Sequence, residues 1–176
     1  MPVQIGARRD SGFDDPLGML QDCHRRIEHF LKVLGTVADR ARGRALDTEE
    51  SSAVDAALHY FRLGGARHTA DEEDSLFPRL RGRSDAPQET VGSLHQEHEQ
   101  ADTLHADLDR LFTAWMISGA LGIDQQEQLD SAMTQLEQLY SSHIELEEKI
   151  VFPAAARLLT REELSLIGEE FRLRRA

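Results

Sequence analysis

Apolar residues recur at intervals of three and four along most of the chain, which is the spacing of one face of an α-helix. Four segments carry this pattern, at residues 17–34, 54–61, 94–111 and 129–150. None of them alternates apolar and polar residues in the way that a half-buried strand does. The pattern therefore predicts an all-α protein with four long helices.

Short polar connections with glycine or proline separate the four helical segments, at residues 42–48, 82–87 and 118–124. Because connections this short make neighbouring helices antiparallel, we predict an up-down-up-down four-helix bundle. Thr160 followed by Glu163 is typical of a capping box, so a short fifth helix is expected to follow. The predicted organisation is a flexible N-terminal segment at 1–13, the bundle at 14–159, and a C-terminal helix with a basic tail at 160–176.

The sequence His-x-x-x-Glu-Glu-x-x-(Leu or Val)-Phe-Pro occurs twice, at residues 68–78 and 143–153. Residues four apart lie on one face of a helix, so each copy points an imidazole and a carboxylate in one direction. These pairs are His68 with Glu72 and His143 with Glu147. Proline cannot continue the backbone hydrogen-bond ladder, so both helices are expected to end or kink alike. Gly64-Gly65, just before the first copy, also predicts either a local kink or a close approach of two helices.

Four histidines are predicted to share one layer of the bundle. In antiparallel helices, residues equally far from the connecting loop lie at one level, and counting from the predicted loops aligns these histidines within roughly 5 Å. They are His24, His68, His98 and His143. His95 competes with His98, but His24 to His98 spans 74 residues and His68 to His143 spans 75. This repeat favours His98 and indicates a duplicated two-helix unit.

Other polar residues near the layer are expected to have lesser roles. Three histidines lie roughly 7 to 11 Å from the layer and are interpreted as bystanders, namely His29, His59 and His105. Glu28 and Asp102 are expected at the surface or around the ligands, and Glu73 and Glu148 are expected to face solvent or to support the ligands. Cys23 is interpreted as a small packed residue rather than a reactive thiol.

Imidazoles and carboxylates without thiolate, in the core of a helix bundle, favour iron or manganese over structural zinc. Two carboxylates can bridge two ions, which gives each ion about four protein donors and leaves positions open for hydroxide, dioxygen or nitric oxide. Apolar residues next to this layer are expected to line a small pocket, namely Leu20, Ile27, Leu94, Ala101, Leu139 and Ile150.

The composition excludes several classes of protein. The single cysteine excludes an internal disulfide framework and a thiolate-rich metal site. A net charge of -12 argues against nucleic acid as a partner, because phosphate binding requires a basic face. No apolar run resembles a signal peptide or a membrane span, so we expect a cytoplasmic protein without a membrane partner.

The twin motif and its histidines resemble the hemerythrin family, in particular the HHE cation-binding proteins, over about residues 14–159. The resemblance implies a non-haem di-iron centre with two iron ions. Its implied ligands are His24, His68, Glu72, His98, His143 and Glu147. The implied function is to bind or sense dioxygen or nitric oxide, or to handle iron under oxidative or nitrosative stress.

The sequence also departs from the oxygen-carrying hemerythrins. Those proteins have His-x-x-x-His on the third helix and an aspartate five residues after the last histidine, whereas this chain has His95-x-x-His98 and His143-x-x-x-Glu147. Freely reversible oxygen transport is therefore not expected. Two alternatives stay open, a di-iron enzyme such as an oxidase, peroxidase or iron–sulfur repair protein, and a metal-free helical interaction module. The sequence does not identify a protein partner.

Overall fold

The computed structural model describes residues 10–176, and every regular element in this range is helical. The five helices are α1 (Pro16–Arg40), α2 (48–80), α3 (Gln88–Ser118), α4 (123–158) and α5 (Arg161–Leu173). The predicted all-α class and the short C-terminal helix are confirmed. Within residues 10–176, none of these helices is both long and apolar enough to cross a membrane.

Local sequence signals set the ends of these helices. At the start of α5, the Thr160 hydroxyl accepts a hydrogen bond from the Glu163 amide at 3.2 Å, and the Glu163 carboxylate accepts one from the Thr160 amide at 2.8 Å. The predicted capping box is confirmed. Gly119 follows the last residue of α3 with a φ of 80°, a left-handed conformation that glycine adopts without steric cost.

Both long even-numbered helices contain π-helical turns. Two of these turns, Glu72–Leu76 and Glu147–Val151, lie at the same place in the twin motif, directly before its Phe-Pro pair. Proline has no N–H to donate, and the wider turn ahead of it absorbs the interruption, so each helix continues beyond the proline. The two copies are therefore alike in structure, as expected, but neither helix ends at its proline. A third π turn, Phe61–Gly65, lies at the glycine pair.

The long helices pack in chain order around a closed ring. Helix α1 contacts α2 and α4, and α3 contacts α2 and packs along α4. This arrangement is consistent with the predicted bundle. Helix α5 lies across α1 and the second half of α2.

The hydrophobic core is divided into two clusters. The tryptophan cluster includes Trp115 together with Ile27, Leu34, Leu111, Phe112 and Leu136. The phenylalanine cluster lies towards α5 and contains Phe77, Phe152 and Phe171 with Leu20, Leu94 and Val151. On α1 the change from one cluster to the other falls between Leu20 and Ile27, and His24 lies between them. A layer of buried polar residues therefore separates the two halves of the core.

The predicted flexible segment 1–13 lies largely outside the described residues, which begin at residue 10. Of its described part, the Ser11 amide donates a 2.5 Å hydrogen bond to Asp22 on α1. Phe13 packs against the phenylalanine cluster. These contacts attach residues 11 and 13 to the helical body.

Candidate metal centre

All six predicted ligands lie in the polar layer between the two core clusters. Each exposes 6% of its surface or less. Helices α1 and α3 contribute one histidine each, and α2 and α4 contribute one histidine and one glutamate each. They are His24, His68, Glu72, His98, His143 and Glu147.

The helical spacing of the twin motif produces two imidazole–carboxylate pairs. On α2, Nε2 of His68 lies 3.5 Å from Oε1 of Glu72. On α4, Nε2 of His143 lies 3.3 Å from Oε1 of Glu147. Each glutamate is also the first residue of a π turn. The four-residue spacing therefore brings both donors of each pair to one point, as expected for a helix face.

Each glutamate also faces a histidine of a different helix through its second oxygen. Nε2 of His24 lies 3.0 Å from Oε2 of Glu147, and Nε2 of His98 lies 3.3 Å from Oε2 of Glu72. Each carboxylate thus presents one oxygen to each of two histidine pairs. This arrangement is that of a pair of bridging carboxylates.

Two groups of four possible ligands result, and in each group the donor atoms lie within 4.8 Å of one another. The first position comprises His24, His68, Glu72 and Glu147. The second position comprises His98, His143, Glu72 and Glu147. The two positions share both glutamates, so the cluster has room for two ions side by side.

The inner polar atoms of this cluster have no hydrogen-bond partner among residues 10–176. They are Nε2 of the four histidines and both carboxylate oxygens of Glu72 and Glu147. Although some of these atoms are close together, their geometry does not form hydrogen bonds. Buried polar atoms are nearly always paired, and unpaired ones are costly. Metal cations coordinated by these eight atoms would give each of them a partner, so the residues fit a metal site.

The two buried carboxyl groups favour opposite charge states. Burial and the neighbouring charge of Glu147 raise the pKa of Glu72 well above its usual value. Burial also opposes ionisation of Glu147, but its contacts with His143 and His24 outweigh that effect and lower its pKa. Without a cation the pair therefore favours one proton and one negative charge, whereas metal ions would stabilise both carboxylates.

Three further carboxylates hold the outer nitrogens of the ligand histidines. The bonds from Nδ1 join His24 to Glu148 at 2.9 Å, His98 to Glu73 at 2.8 Å, and His143 to Glu97 at 2.9 Å. A carboxylate only accepts hydrogen bonds, so Nδ1 carries the proton and the lone pair of Nε2 points into the cluster. These carboxylates orient the imidazoles and raise their basicity, as outer-shell partners of metal ligands do.

Of these three carboxylates, Glu97 is the one that the sequence does not indicate. Glu73 and Glu148 each follow a glutamate of the twin motif, and the sequence predicts that both either face solvent or support the ligands. Glu97 has no such counterpart, because the equivalent residue of the first half is Cys23, 74 positions earlier. The repeat therefore gives no signal for it.

Tyr140 and His105 extend the polar layer towards the tryptophan cluster. The Tyr140 hydroxyl and Nε2 of His105 are joined by a 2.9 Å hydrogen bond, and the Tyr140 ring packs edge-on against His143. Burial lowers the pKa of His105 to about 4 and raises that of Tyr140. The neutral His105, interpreted from the sequence as a bystander, lies outside both groups of donor atoms.

The remaining candidates lie outside the cluster. His95 is half exposed, and its Nδ1 lies 3.0 Å from Glu73. Four others are exposed at the surface, namely Glu28, His29, His59 and Asp102.

The expected pocket-lining residues are buried beside the layer except for Ile150. Ile150 is 41% exposed, so the expectation that it faces the cluster is wrong. The π turn rotates this part of α4, and the adjacent Val151 takes the buried place instead.

An arginine pair ties α5 to the ligand-bearing helix α2. Nη1 of Arg174 and Nη2 of Arg175 lie 2.8 and 2.6 Å from the two oxygens of Asp71, which is wholly buried. Asp71 directly precedes Glu72. The C-terminal residues therefore fix the part of α2 from which the Glu72 carboxylate projects.

The fold and this arrangement of side chains define a helical protein with a buried histidine–carboxylate cluster that could hold metal ions. Comparison with protein families gives a match to the hemerythrin HHE cation binding domain over residues 15–155. The match covers most of the chain, and the chain belongs to this family. No curated protein matches it in a sequence search.

Proposed function

We propose that the polar layer holds two iron ions, bridged by Glu72 and Glu147. The observation that carries this proposal is that the two oxygens of each glutamate face different metal positions. Each glutamate presents one oxygen to the first position and one to the second. A single ion would leave one pair of histidines and two buried oxygens without a partner, which is costly.

Iron is favoured by the chemistry of the donors. Each position offers two imidazole nitrogens and two carboxylate oxygens, without a thiolate. Such mixed nitrogen and oxygen donors suit iron or manganese, and helix bundles commonly hold pairs of these ions through carboxylates. Four protein donors leave about two of the six positions of an octahedral ion open. When bound, iron would supply a redox-active centre at which a small ligand can bind.

The surroundings of the layer favour a small ligand. Leu20 and Leu94 border it on one side, and Ile27 and Ala101 border it on the other, all of them buried. Apolar side chains thus enclose the layer on both sides, which suits a small ligand without charge. We therefore propose that dioxygen or nitric oxide is the ligand, and that the protein senses one of these gases or handles iron under oxidative or nitrosative stress.

The four long helices are proposed to form an up-down-up-down bundle over residues 14–159, with 160–176 as an appended helix. The ring of helix contacts around the metal layer supports this arrangement. The cytoplasmic location and the flexibility of residues 1–13 stay predictions.

The proposal is tested by metal analysis and gas binding together. Protein expressed with ample iron is expected to contain about two iron ions per chain. After anaerobic reduction, nitric oxide should give a new optical spectrum, and dioxygen should convert the protein to its oxidised form. One tightly held zinc ion per chain, with no second ion, would contradict the proposal.

The gas experiment also separates the alternatives. Clean recovery of the reduced spectrum over many cycles of dioxygen removal would identify a carrier, which the four-histidine donor set does not favour. Rapid turnover of peroxide would instead identify a di-iron enzyme, for which the open positions on both ions are equally suitable. Folded protein that binds no metal would favour a helical interaction module.

A further inference from the structure

The two metal positions differ in how their histidines are held from outside. At the second position, both histidines donate from Nδ1 to a carboxylate, His98 to Glu73 at 2.8 Å and His143 to Glu97 at 2.9 Å. Both imidazoles are therefore fixed in orientation, and both gain electron density from a neighbouring negative charge.

At the first position only one histidine is held in this way. His24 donates from Nδ1 to Glu148 at 2.9 Å. Nδ1 of His68 is buried and has no hydrogen-bond partner among residues 10–176. The inner donors of the two positions are the same in number and type. The difference between the positions therefore lies in this one missing carboxylate.

The duplicated sequence shows which residue stands where a carboxylate partner of His68 would be expected. His24 and His98 occupy matching places 74 residues apart, so Cys23 matches Glu97. Cys23 is buried, and its sulfur lies 3.7 Å from the guanidinium of Arg26. A thiol brings neither the negative charge nor the two acceptor oxygens with which Glu97 holds its histidine.

We propose that the second position binds its iron ion more tightly than the first, because a carboxylate holds both of its histidines. This inference rests on the proposed two-iron function. Loss of an outer partner of a metal ligand typically lowers metal affinity about 10- to 100-fold. The first position then fills and empties with the supply of ferrous iron, while the second stays loaded.

The test is an anaerobic titration of the metal-free protein with ferrous iron, in which isothermal titration calorimetry measures the binding. The wild-type protein is expected to bind two ions in separate steps whose Kd values differ about 10- to 100-fold. Chelator added to the loaded protein should remove one ion well before the other.

Two matched variants show which metal position is responsible for each binding step. Glu97 and Glu148 each hold one ligand histidine and are partly exposed, at 25% and 37%, so their replacement by alanine is expected to leave the fold intact. Circular dichroism checks this. Glu97→Ala should weaken the tighter step about 10- to 100-fold and bring the two Kd values together. Glu148→Ala should weaken the looser step and increase the difference between the two Kd values.

Other outcomes would overturn the inference in distinguishable ways. Two ions bound with equal affinity would show that the positions are equivalent, and the two-iron proposal would stand. The reverse assignment, with Glu97→Ala weakening the looser step, would show that the first position is the tighter one. Failure of the wild-type protein to bind iron would overturn the proposed function together with this inference.

Discussion

Glu72 and Glu147 differ from the four ligand histidines because each faces both metal positions. Each histidine approaches one carboxylate oxygen, whereas each glutamate directs one oxygen to the first position and the other oxygen to the second. The loss of one glutamate should therefore affect two ions. Glu72→Ala or Glu147→Ala is expected to reduce the iron content from about two ions per chain to none, as measured by elemental analysis of the purified protein.

His95 provides the control for this prediction. It lies one turn from His98 and is half exposed, and it contacts Glu73 but none of the donor atoms of either position. His95→Ala should keep both ions, whereas His98→Ala should lose at least the ion of the second position. If His95→Ala empties the centre and His98→Ala does not, the ligand assignment on α3 is wrong.

His105 makes a separate, pH-dependent contribution to stability. Burial lowers its pKa from 6.5 to about 4 in the folded protein, where its neutral ring shares a hydrogen bond with the Tyr140 hydroxyl. Because the folded-state pKa lies below the unfolded value, this contribution is complete above pH 6.5 and is lost as the pH falls towards 4. Between pH 7 and pH 5 the loss should be about 2 kcal/mol.

Urea unfolding of the metal-free protein at both pH values measures this effect, with the fluorescence of Trp115 as the probe, because His105 packs against Phe61 of the same core cluster. His105→Gln should be less stable than wild type at pH 7, and its stability should fall less between pH 7 and pH 5. The exposed His59 gives the matched control, since His59→Gln should keep the wild-type pH dependence. Equal pH dependence in wild type and His105→Gln would contradict the assignment.

At the scale of helices, the two arginines that follow α5 hold the part of α2 that carries Glu72. Arg174 and Arg175 are the partners of the buried Asp71 carboxylate, and removal of the partners of a buried charge typically costs about 3 to 5 kcal/mol. The double variant Arg174→Ala/Arg175→Ala should therefore lower the Tm by roughly 6 to 20 °C in a chain of this size. Differential scanning calorimetry measures the change.

The exposed pair formed by Arg172 and Glu169 in the same helix is the control. Arg172→Ala should leave the Tm nearly unchanged, because solvent screens exposed ion pairs. An equal fall in Tm for both variants would indicate that α5 itself had been weakened and that the contact with Asp71 is not responsible.

Much of the helical arrangement is predictable because its signals are local. The 3.6-residue periodicity predicts the long helices, and the capping box at Thr160 predicts α5. The repeat spacing selects His98 over His95 because equivalent residues of two duplicated helix pairs lie at the same level of the bundle. The four-residue spacing in the twin motif then pairs each histidine with its glutamate.

The π turns and the outer carboxylates are less accessible to sequence reasoning. A π turn widens the helix by one residue and rotates the residues after it, so regular periodicity assigns Ile150 to the buried face that Val151 occupies. Glu97 supports a histidine of another helix, and its role depends on the relative rotation of α3 and α4. No local spacing reports that rotation.

At the scale of the whole molecule, metal binding should stabilise the fold, because the ligands come from four helices. A site that binds only the folded state contributes about 2.7 kcal/mol when the free ligand is at about 100 times its Kd. Chelation of both ions should thus lower the Tm by roughly 10 to 20 °C. Calorimetry with and without chelator tests this, and an unchanged Tm would show that the layer does not bind metal.

The division of the core into tryptophan and phenylalanine clusters has a consequence for cooperative unfolding. With iron bound, the polar layer should join the two clusters, and tryptophan fluorescence and far-ultraviolet circular dichroism should report one coincident transition. Trp115 is the single tryptophan, and it lies in one cluster. In the metal-free protein the two halves should melt separately, so the fluorescence transition should part from that of circular dichroism. Coincident transitions after chelation would show that the helices alone couple the halves into one cooperative unit.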